Sequence, residues 1–153
     1  EYIEGELRYE KTYESDKLNG ISKEYLSSGE IEFERNFKDD VLHGVSKEYD
    51  SNGVLINENT YDFGEVLENK EFYESGSLMR KTAFNGGRPI EEKEYYEGGL
   101  LMREKILEAG RPAQIAEYYK NGSLMYRNYY KNGILIKSEQ YDVDGNFLNE
   151  QKF

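Results

Sequence analysis

Hydrophobic residues recur along this chain with a period of 23 or 24 residues. In each period a glycine is followed two positions later by an aliphatic or aromatic residue. The seven pairs are Gly5-Leu7, Gly29-Ile31, Gly53-Leu55, Gly76-Leu78, Gly99-Leu101, Gly122-Leu124 and Gly145-Phe147. Self-similarity at a fixed period of this length is the signature of a repeat architecture, in which each repeat is one supersecondary unit.

Aromatic residues mark two more positions of the repeat. The position four residues before each glycine, except the first, holds Tyr25, Tyr49, Phe72, Tyr95, Tyr118 and Tyr141. The position eight residues after each glycine holds Tyr13, Phe37, Tyr61, Phe84, Leu107, Tyr130 and Phe153. The pattern predicts a single repeat array over 1–153, with units at approximately 1–19, 20–43, 44–67, 68–90, 91–113, 114–136 and 137–153.

Each period contains two turn signals, and these predict strands. The first signal is the repeat glycine itself, and the second lies eleven residues later, at Asp16, Asp40, Gly64, Gly87, Gly110 and Gly133. Asn-Gly and Asp-Gly steps supply the positive φ angles of tight hairpin turns. Glycine at this frequency would break a helix repeatedly. We therefore predict an all-β fold, an elongated antiparallel meander of tandem hairpin repeats with about thirteen strands.

Alternation along the strands predicts what each face of the sheet carries. The apolar positions two and eight residues after each glycine share parity, so we expect them to form one packed aromatic ladder. The residue that precedes each aromatic is usually glutamate, and we expect it on the opposite face. These residues form a predicted acidic strip of Glu24, Glu48, Glu71, Glu94 and Glu117. We expect Lys23, Lys47, Lys70, Lys93 or counterions to relieve its like-charge repulsion.

A second set of aromatic residues has the parity opposite to the ladder. In the repeated motif "YYKNG", Tyr118 and Tyr130 belong to the predicted ladder, whereas their neighbours point to the other face. Together with methionine, such side chains form an apolar strip of the kind that binds protein partners. The predicted partner-binding residues are Tyr73, Tyr96, Tyr119, Tyr129, Met79, Met102 and Met125. The alternative is that this strip packs a second layer or a symmetric copy.

Composition and charge restrict the classes of partner. The formal charge is −11, with acidic residues spread along the chain, so the surface repels phosphate backbones and anionic lipids and suits a basic protein. The sequence has no run of eighteen apolar residues, so it predicts no membrane-spanning helix. The sequence begins at Glu1 rather than at methionine, which leaves both a cytoplasmic and an exported location open.

The residues that carry most enzyme chemistry are scarce. The sequence has no cysteine and one histidine, His43, which do not suffice for a zinc site of the usual ligands. The stretch "DVDGN" at 142–146 resembles the start of a calcium loop, but Gly145 lies in register with the other hairpin glycines. Carboxylates recur once per repeat, whereas catalysis needs a unique pair in two different environments. We predict no catalytic residue, no cofactor and no metal.

Two stretches of the chain resemble the bacterial variant of the MORN repeat. They are "GISKEYLSSGEIEFERNFKDDVLHG" at 20–44 and "GVSKEYDSNGVLINENTYDFGEVLEN" at 44–69. This variant is common in YwqK-like proteins that are labelled as an antitoxin component. The resemblance implies hairpin repeats in an elongated sheet, no catalysis, and roles in protein contacts or assembly.

The later units depart from the MORN-like pattern. The glycine at Gly20 and Gly44 is replaced by Glu68, Glu91, Gln114 and Lys137. The sequences "GGRP" and "AGRP" replace the usual second turn in units four and five, which leaves the loop geometry of these units open while the repeat itself continues.

Three functional hypotheses follow from the sequence. The first is a non-enzymatic repeat scaffold for protein–protein interaction or assembly, with homodimerisation as one form of it. The alternative is an antitoxin or immunity-type inhibitor that binds a basic toxin through the acidic strip. A third is a carbohydrate-binding surface protein whose exposed tyrosines stack on sugars.

Overall fold

The structure, a computed structural model, describes residues 1–3 and 5–153. All regular elements in these residues are antiparallel strands, and the described part of the chain contains no helix. The strands belong to two compact units, an N-terminal unit of residues 1–76 and a C-terminal unit of residues 77–153. The prediction of an all-β antiparallel meander is confirmed, whereas a single array over the whole chain stays a prediction.

Most of the N-terminal unit is an open sheet with the strand order β3-β6-β7-β9-β10-β11. Strand β8 pairs with β7, and the hairpins β1–β2 and β4–β5 lie outside this order. The strands are β1 (Tyr2–Ile3), β2 (Glu6–Leu7), β3 (Tyr9–Glu10), β4 (Tyr13–Glu14), β5 (Lys17–Leu18), β6 (Gly20–Tyr25), β7 (Ile31–Lys38), β8 (Val41–Leu42), β9 (Gly44–Tyr49), β10 (Leu55–Asp62) and β11 (Glu65–Phe72).

The C-terminal unit is a seven-stranded meander in which the strand order is the chain order. Its strands have eight residues, except the last, which has six. They are β12 (Leu78–Asn85), β13 (Arg88–Tyr95), β14 (Leu101–Glu108), β15 (Arg111–Tyr118), β16 (Leu124–Lys131), β17 (Ile134–Tyr141) and β18 (Phe147–Lys152).

Among the described residues, six hairpin turns have positive φ at both central residues, as a type I′ turn requires. The φ angles are 42–56° at the first central residue and 64–88° at the second. The pairs are Ser15-Asp16, Asp39-Asp40, Phe63-Gly64, Gly86-Gly87, Ala109-Gly110 and Asn132-Gly133. The loop geometry that the sequence left open in units four and five is thereby known, since Gly86-Gly87 and Ala109-Gly110 have the same turn as the other units.

The hairpin turns at the repeat glycines are of a second kind. At Asp50, the carbonyl accepts the N–H of Gly53 at 3.0 Å, and only the glycine has positive φ. The Asp50 carboxylate also accepts the N–H groups of Asn52 and Val54 at 2.8 and 2.9 Å. Backbone hydrogen bonds from Val54 and Asn52 lower the pKa of Asp50. In the two copies of "YYKNG", Asn121-Gly122 lies in the turn before β16 and Asn132-Gly133 lies in the turn after it. The Asn-Gly steps therefore form turns at opposite ends of β16, as predicted.

Strand continuity differs between early and late units because of one glycine position. Gly20 and Gly44 have φ angles of 94° and 89°, and a strand break precedes each of them. A Cβ atom at Gly44 would lie 3.2 Å from Asn36 Nδ2. Where the later units have Glu68, Glu91, Gln114 or Lys137, the strand continues unbroken. These breaks and the two-residue strands near the N-terminus explain why the described residues form eighteen strands rather than about thirteen.

The strand register shifts near both ends of β10, β14 and β16. Glu94 lies opposite Arg103, but Tyr95 lies opposite Leu101, so Met102 is an extra residue in β14. Ile106 lies opposite Gln114, but Leu107 lies opposite Pro112. Each shift is a β-bulge that breaks the simple alternation of faces.

The bulges overturn the prediction of a single aromatic ladder. Residues that lie directly opposite each other point to the same face, so the register places Leu101 with Tyr95 on one face and Leu107 with Pro112 on the other. Tyr118 and Tyr130, both assigned to the ladder from the sequence, likewise lie on opposite faces. Each unit of the repeat therefore presents one apolar row on each face, at opposite ends of the strands.

Few side chains of either unit are buried in the described part of the chain. Among the described residues, the buried hydrophobic side chains are Leu107, at 8% exposed, and Ala116, at 0%. No large side chain in residues 1–3 and 5–153 is fully buried. The sheets therefore rely on contacts between neighbouring strands, and their faces stay open to solvent.

The turn geometry predicts that Ala109→Asn stabilises the protein. Ala109 has a φ of 49°, a conformation that costs a residue with a Cβ about 1–2 kcal/mol and that asparagine tolerates better. We expect the free energy of unfolding to rise by about 0.5–1 kcal/mol, measured by urea unfolding. Ala113→Asn, at a position without positive φ, is the control and should give no increase. A lower unfolding midpoint for Ala109→Asn than for the wild type would contradict this account.

Candidate partner-binding surfaces

One face of the C-terminal unit is rich in tyrosine. Directly opposed residues at one end of the strands bring three aromatic–apolar pairs to this face: Tyr95–Leu101, Tyr118–Leu124 and Tyr141–Phe147. Tyr129, two residues after Arg127 in β16, lies on the same face. We call this surface the tyrosine face and define it as Tyr95, Leu101, Tyr118, Leu124, Arg127, Tyr129, Glu139, Tyr141 and Phe147. Apart from the exposed Phe147, these side chains are half-buried.

Glu139 holds the tyrosines of this face in place. It lies opposite Arg127 and accepts hydrogen bonds from the hydroxyls of Tyr129 at 3.2 Å and Tyr141 at 3.4 Å. Lys137 Nζ lies 2.7 Å from the same carboxylate. The hydrogen bond from Lys137, supported by those from the two tyrosines, lowers the pKa of Glu139. The carboxylate is therefore charged at neutral pH and orders the rings around it.

Arg127 is the central cation of the tyrosine face. Burial alone would lower its pKa, but hydrogen bonds with Tyr129 and Tyr118 raise it. The Nε atom of Arg127 is buried and has no hydrogen-bond partner among the described residues. The surface thus combines a partly desolvated guanidinium with ordered phenol rings.

The structure separates the aromatic residues that the sequence grouped as one partner-binding strip. Tyr129 lies on the tyrosine face, whereas Tyr96 and Tyr119 lie in the turns that follow β13 and β15. The Tyr96 hydroxyl donates to the carbonyl of Tyr118 at 2.9 Å, and that of Tyr119 donates to the carbonyl of Tyr141 at 3.2 Å. Each of these two hydrogen bonds connects one hairpin to the next one along the sheet.

The remaining residues of the predicted strip occupy other places. Tyr73 begins the turn in which Gly76 donates its N–H to the Tyr73 carbonyl at 2.8 Å. Met102 and Met125 are the extra residues of two bulges, and Met79 is a half-buried residue of β12. Their role in binding stays a prediction. Sequence reasoning missed Tyr118, Tyr141 and Arg127 because the bulges that turn them to one face have no clear sequence signal.

Three of the five glutamates of the acidic strip lie close to an arginine side chain. Glu24 lies 2.8 Å from Arg35 Nη1, Glu94 lies 3.5 Å from Arg80 Nε, and Glu117 lies 3.6 Å from Arg103 Nε. Glu48 lies opposite both Phe33 and Asn57 in the register, and Glu71 lies opposite Asn57.

The lysines expected beside the acidic strip lie on the other face of their sheet. Lys23 pairs with Glu34 at 3.3 Å, Lys70 with Glu58 at 2.8 Å and Lys93 with Glu104 at 3.3 Å. The expectation that lysines relieve the strip is therefore wrong for these three ion pairs. Each strand places its lysine and the strip glutamate on successive residues, and these point to opposite faces.

The net charge is divided unevenly between the two units. Residues 1–76 contain twenty Asp or Glu and eight Lys or Arg, a net charge of −12. Residues 77–153 contain eleven and twelve, a net charge of +1. The acidic residues are spread along the chain, but the net negative charge belongs to the N-terminal unit.

Other kinds of site find little support in the described residues. Within 1–3 and 5–153, no group of three or more His, Asp or Glu side chains is placed to hold a metal ion. We find no helix in this part of the chain with the length and apolar character that a bilayer crossing requires. His43 Nδ1 lies 3.3 Å from Asp62 Oδ1, and its ring lies 4.7 Å from that of Phe63. These contacts give His43 a structural role beside a turn.

Tyr126 lies on the face opposite the tyrosine face, and its raised pKa predicts a loss of stability at alkaline pH. Burial, together with a hydrogen bond to Glu117, raises its pKa from 10.0 to about 12. Because the folded state holds this proton more tightly, the stabilisation is complete below pH 10 and disappears as pH rises towards about 12. We expect Tyr126→Phe to make the fall in the urea midpoint over this range shallower.

Tyr2, which is 70% exposed, supplies the control, since Tyr2→Phe should leave that pH dependence unchanged. Titration of Tyr126 by NMR with a pKa near 10 would contradict the assignment.

Comparisons with known proteins support the repeat. Three segments, 18–39, 42–62 and 116–132, match the family described as MORN repeat variant. No curated protein matches the sequence significantly.

Similar solved structures include a crystal structure of TarM, with 14% identity, a TM-score of 0.48, and coverage of 69% of this chain and 20% of that one. Another is a mutant of S. aureus TarM in complex with Fondaparinux, alpha-GlcNAc-glycerol and UDP, with 14% identity, a TM-score of 0.39, and coverage of 71% and 19%. This chain therefore spans about a fifth of the length of each, and the similarity is too low to inform its function.

Two of the matched segments lie in the N-terminal unit and one lies in the C-terminal unit. Each contains at least one strand of the sheet and a hairpin turn. The chain therefore carries MORN-variant repeats at these three places.

Proposed function

We propose that this chain is a non-catalytic repeat scaffold that binds a protein partner through the tyrosine face. MORN-variant repeats are consistent with a repeat scaffold for protein interaction. The observation that carries the proposal is the half-exposed tyrosine cluster around Arg127 and Glu139, on a sheet with almost no enclosed core.

Residue type supports this choice of face. Tyrosine and arginine supply much of the binding energy in protein interfaces. Tyrosine offers a large contact area at a low entropic cost, because its side chain has only two χ angles to fix. Here the hydrogen bonds to Glu139 fix Tyr129 and Tyr141 before a partner arrives. Preorganisation of this kind lowers the entropic cost of association.

The ion pairs support a role without catalysis. Lys23–Glu34 and Lys93–Glu104 are copies of one cross-strand arrangement, each with an N–O distance of 3.3 Å. A catalytic acid and base require two carboxyl groups whose environments drive their pKa values apart. Repeated, neutralised pairs are typical of a structural surface.

Adjacent residues on opposite faces give a sharp test of the tyrosine face. We expect Tyr129→Ala to weaken partner binding about thirtyfold, the loss that a central interface tyrosine of about 2 kcal/mol predicts. Tyr130→Ala removes the same side chain from the other face and should bind normally. The measurement is a pull-down from native lysate, followed by a titration of the captured partner with each purified variant.

Urea unfolding of both variants separates binding from folding in this test. Equal loss of binding in Tyr129→Ala and Tyr130→Ala would remove the support for the tyrosine face. Because the contact is largely apolar, we also expect the wild-type complex to survive about 500 mM salt.

The charge of −12 on residues 1–76 favours a second candidate function. In this alternative the protein is an antitoxin or immunity-type inhibitor, and its N-terminal unit neutralises a basic protein. Glu48 is the useful probe because it lies beside Phe33 and Asn57 rather than beside a cation in the register. Glu48→Lys would then abolish binding, affinity would fall steeply with salt, and Tyr129→Ala would have no effect.

A further inference from the structure

The type I′ turns of the two units carry opposite charge. In the N-terminal unit the three turns 14–17, 38–41 and 62–65 contain six Asp or Glu and two Lys, a net charge of −4, and we call them the acidic turns. In the C-terminal unit the turns 85–88, 108–111 and 131–134 contain Arg88, Arg111, Lys131 and the single carboxylate of Glu108, a net charge of +2. We call these the basic turns.

The cations of the basic turns are available to a partner. Arg88, Arg111 and Lys131 are exposed, and no carboxylate in the described part of the chain lies within ion-pair distance of them. The stem of Arg111 extends over the next turn, since a Cβ atom at Gly133 would lie 3.8 Å from Arg111 Cδ. The groove between these two turns has a volume of about 500 Å³.

Within each unit, successive type I′ turns lie side by side, and their spacing is the same in the two units. In the N-terminal unit, Asp40 donates its N–H to the Leu18 carbonyl at 3.0 Å, and Gly64 donates to the Leu42 carbonyl at 2.7 Å. Successive turns of either unit are one hairpin apart, which is about 10 Å for two strands. Three acidic turns and three basic turns therefore match in number and in period.

Exposed apolar side chains accompany the charges on both sides. The acidic turns carry Phe63, at 58% exposed, and Val41, at 38%. Next to the basic turns lie Ile134, at 69%, and Ile90, at 42%. An apolar centre with a charged rim is the usual composition of a protein interface.

We propose that the basic turns of one copy bind the acidic turns of a second copy of this chain. The occupant is a second copy because one sequence supplies both complementary surfaces, with matching period, charge and apolar residues. Each copy has one surface of each kind, so two copies offer two such contacts. The contact does not use the tyrosine face, and its failure would leave the proposed function untouched.

Sedimentation velocity tests the contact. At about 50 mM NaCl, where charges act over about 14 Å, we expect concentration-dependent association, and at about 500 mM we expect a single monomeric species. The triple variant Arg88→Glu, Arg111→Glu, Lys131→Glu should raise the dissociation constant tenfold or more, because it replaces attraction by repulsion in all three turns. Lys120→Glu changes an exposed cation in a turn of the other kind and should associate as the wild type does.

A charge swap identifies the surface that receives the basic turns. The variant Asp39→Lys, Glu65→Lys should fail to associate alone but should bind the triple variant when the two are mixed. Both variants should keep the strand spectrum and cooperative unfolding of the wild type. A monomer at low salt and high concentration, equal loss of association in Lys120→Glu, or failure of the mixture to associate would each overturn the proposal.

Discussion

The structure depends on the β-bulges near the ends of its hairpin strands. Each bulge adds one residue to a strand without adding a partner opposite it, so the side chains beyond it change face. Met102 and Ala113 do this on either side of the centre of the β14 hairpins. As a result Leu101 and Leu107, six residues apart in one strand, serve opposite faces. Each face receives an apolar row at one end of the strands and charged residues in the middle, which lets a sheet stay folded with almost nothing enclosed.

Stability in such a sheet comes from neighbouring strands and from ties between successive hairpins. The lysine–glutamate pairs are half-buried, and Lys93 bonds both to Glu91 in its own strand, at 2.9 Å, and to Glu104 in the next strand, at 3.3 Å. At the turns, the hydroxyls of Tyr96 and Tyr119 reach the backbone of the next hairpin. Where the equivalent residue is aspartate, as at Asp142, the carboxylate instead satisfies N–H groups of its own turn. Because these contacts are local, they order each hairpin against the one before it and leave the faces available for binding.

Much of the fold follows from the sequence, whereas the faces do not. The 23-residue period, the Asn-Gly steps and the alternating segments predict hairpins, turns and strand direction, and Asn121-Gly122 and Asn132-Gly133 mark the turns of β16 correctly. The side-chain directions fail because a bulge residue such as Met125 looks like any other strand residue. For this reason the sequence pattern places Tyr118 and Tyr130 on one face and does not reveal the cluster around Arg127. The uneven charge of the two units, by contrast, was present in the sequence once a boundary was known.

The β-bulges are tested most directly by the arrangement of tyrosines around Arg127, because these side chains meet only if the strand register shifts as described. We would measure side-chain NOEs of Arg127 and Tyr126 in the wild-type protein. The structure predicts contacts from Arg127 to the rings of Tyr118 and Tyr129, and from Tyr126 to Glu117. Contacts from Tyr118 to the ring of Tyr126, with none to Arg127, would mean uninterrupted alternation and would contradict the bulges, the tyrosine face and the division of the apolar rows.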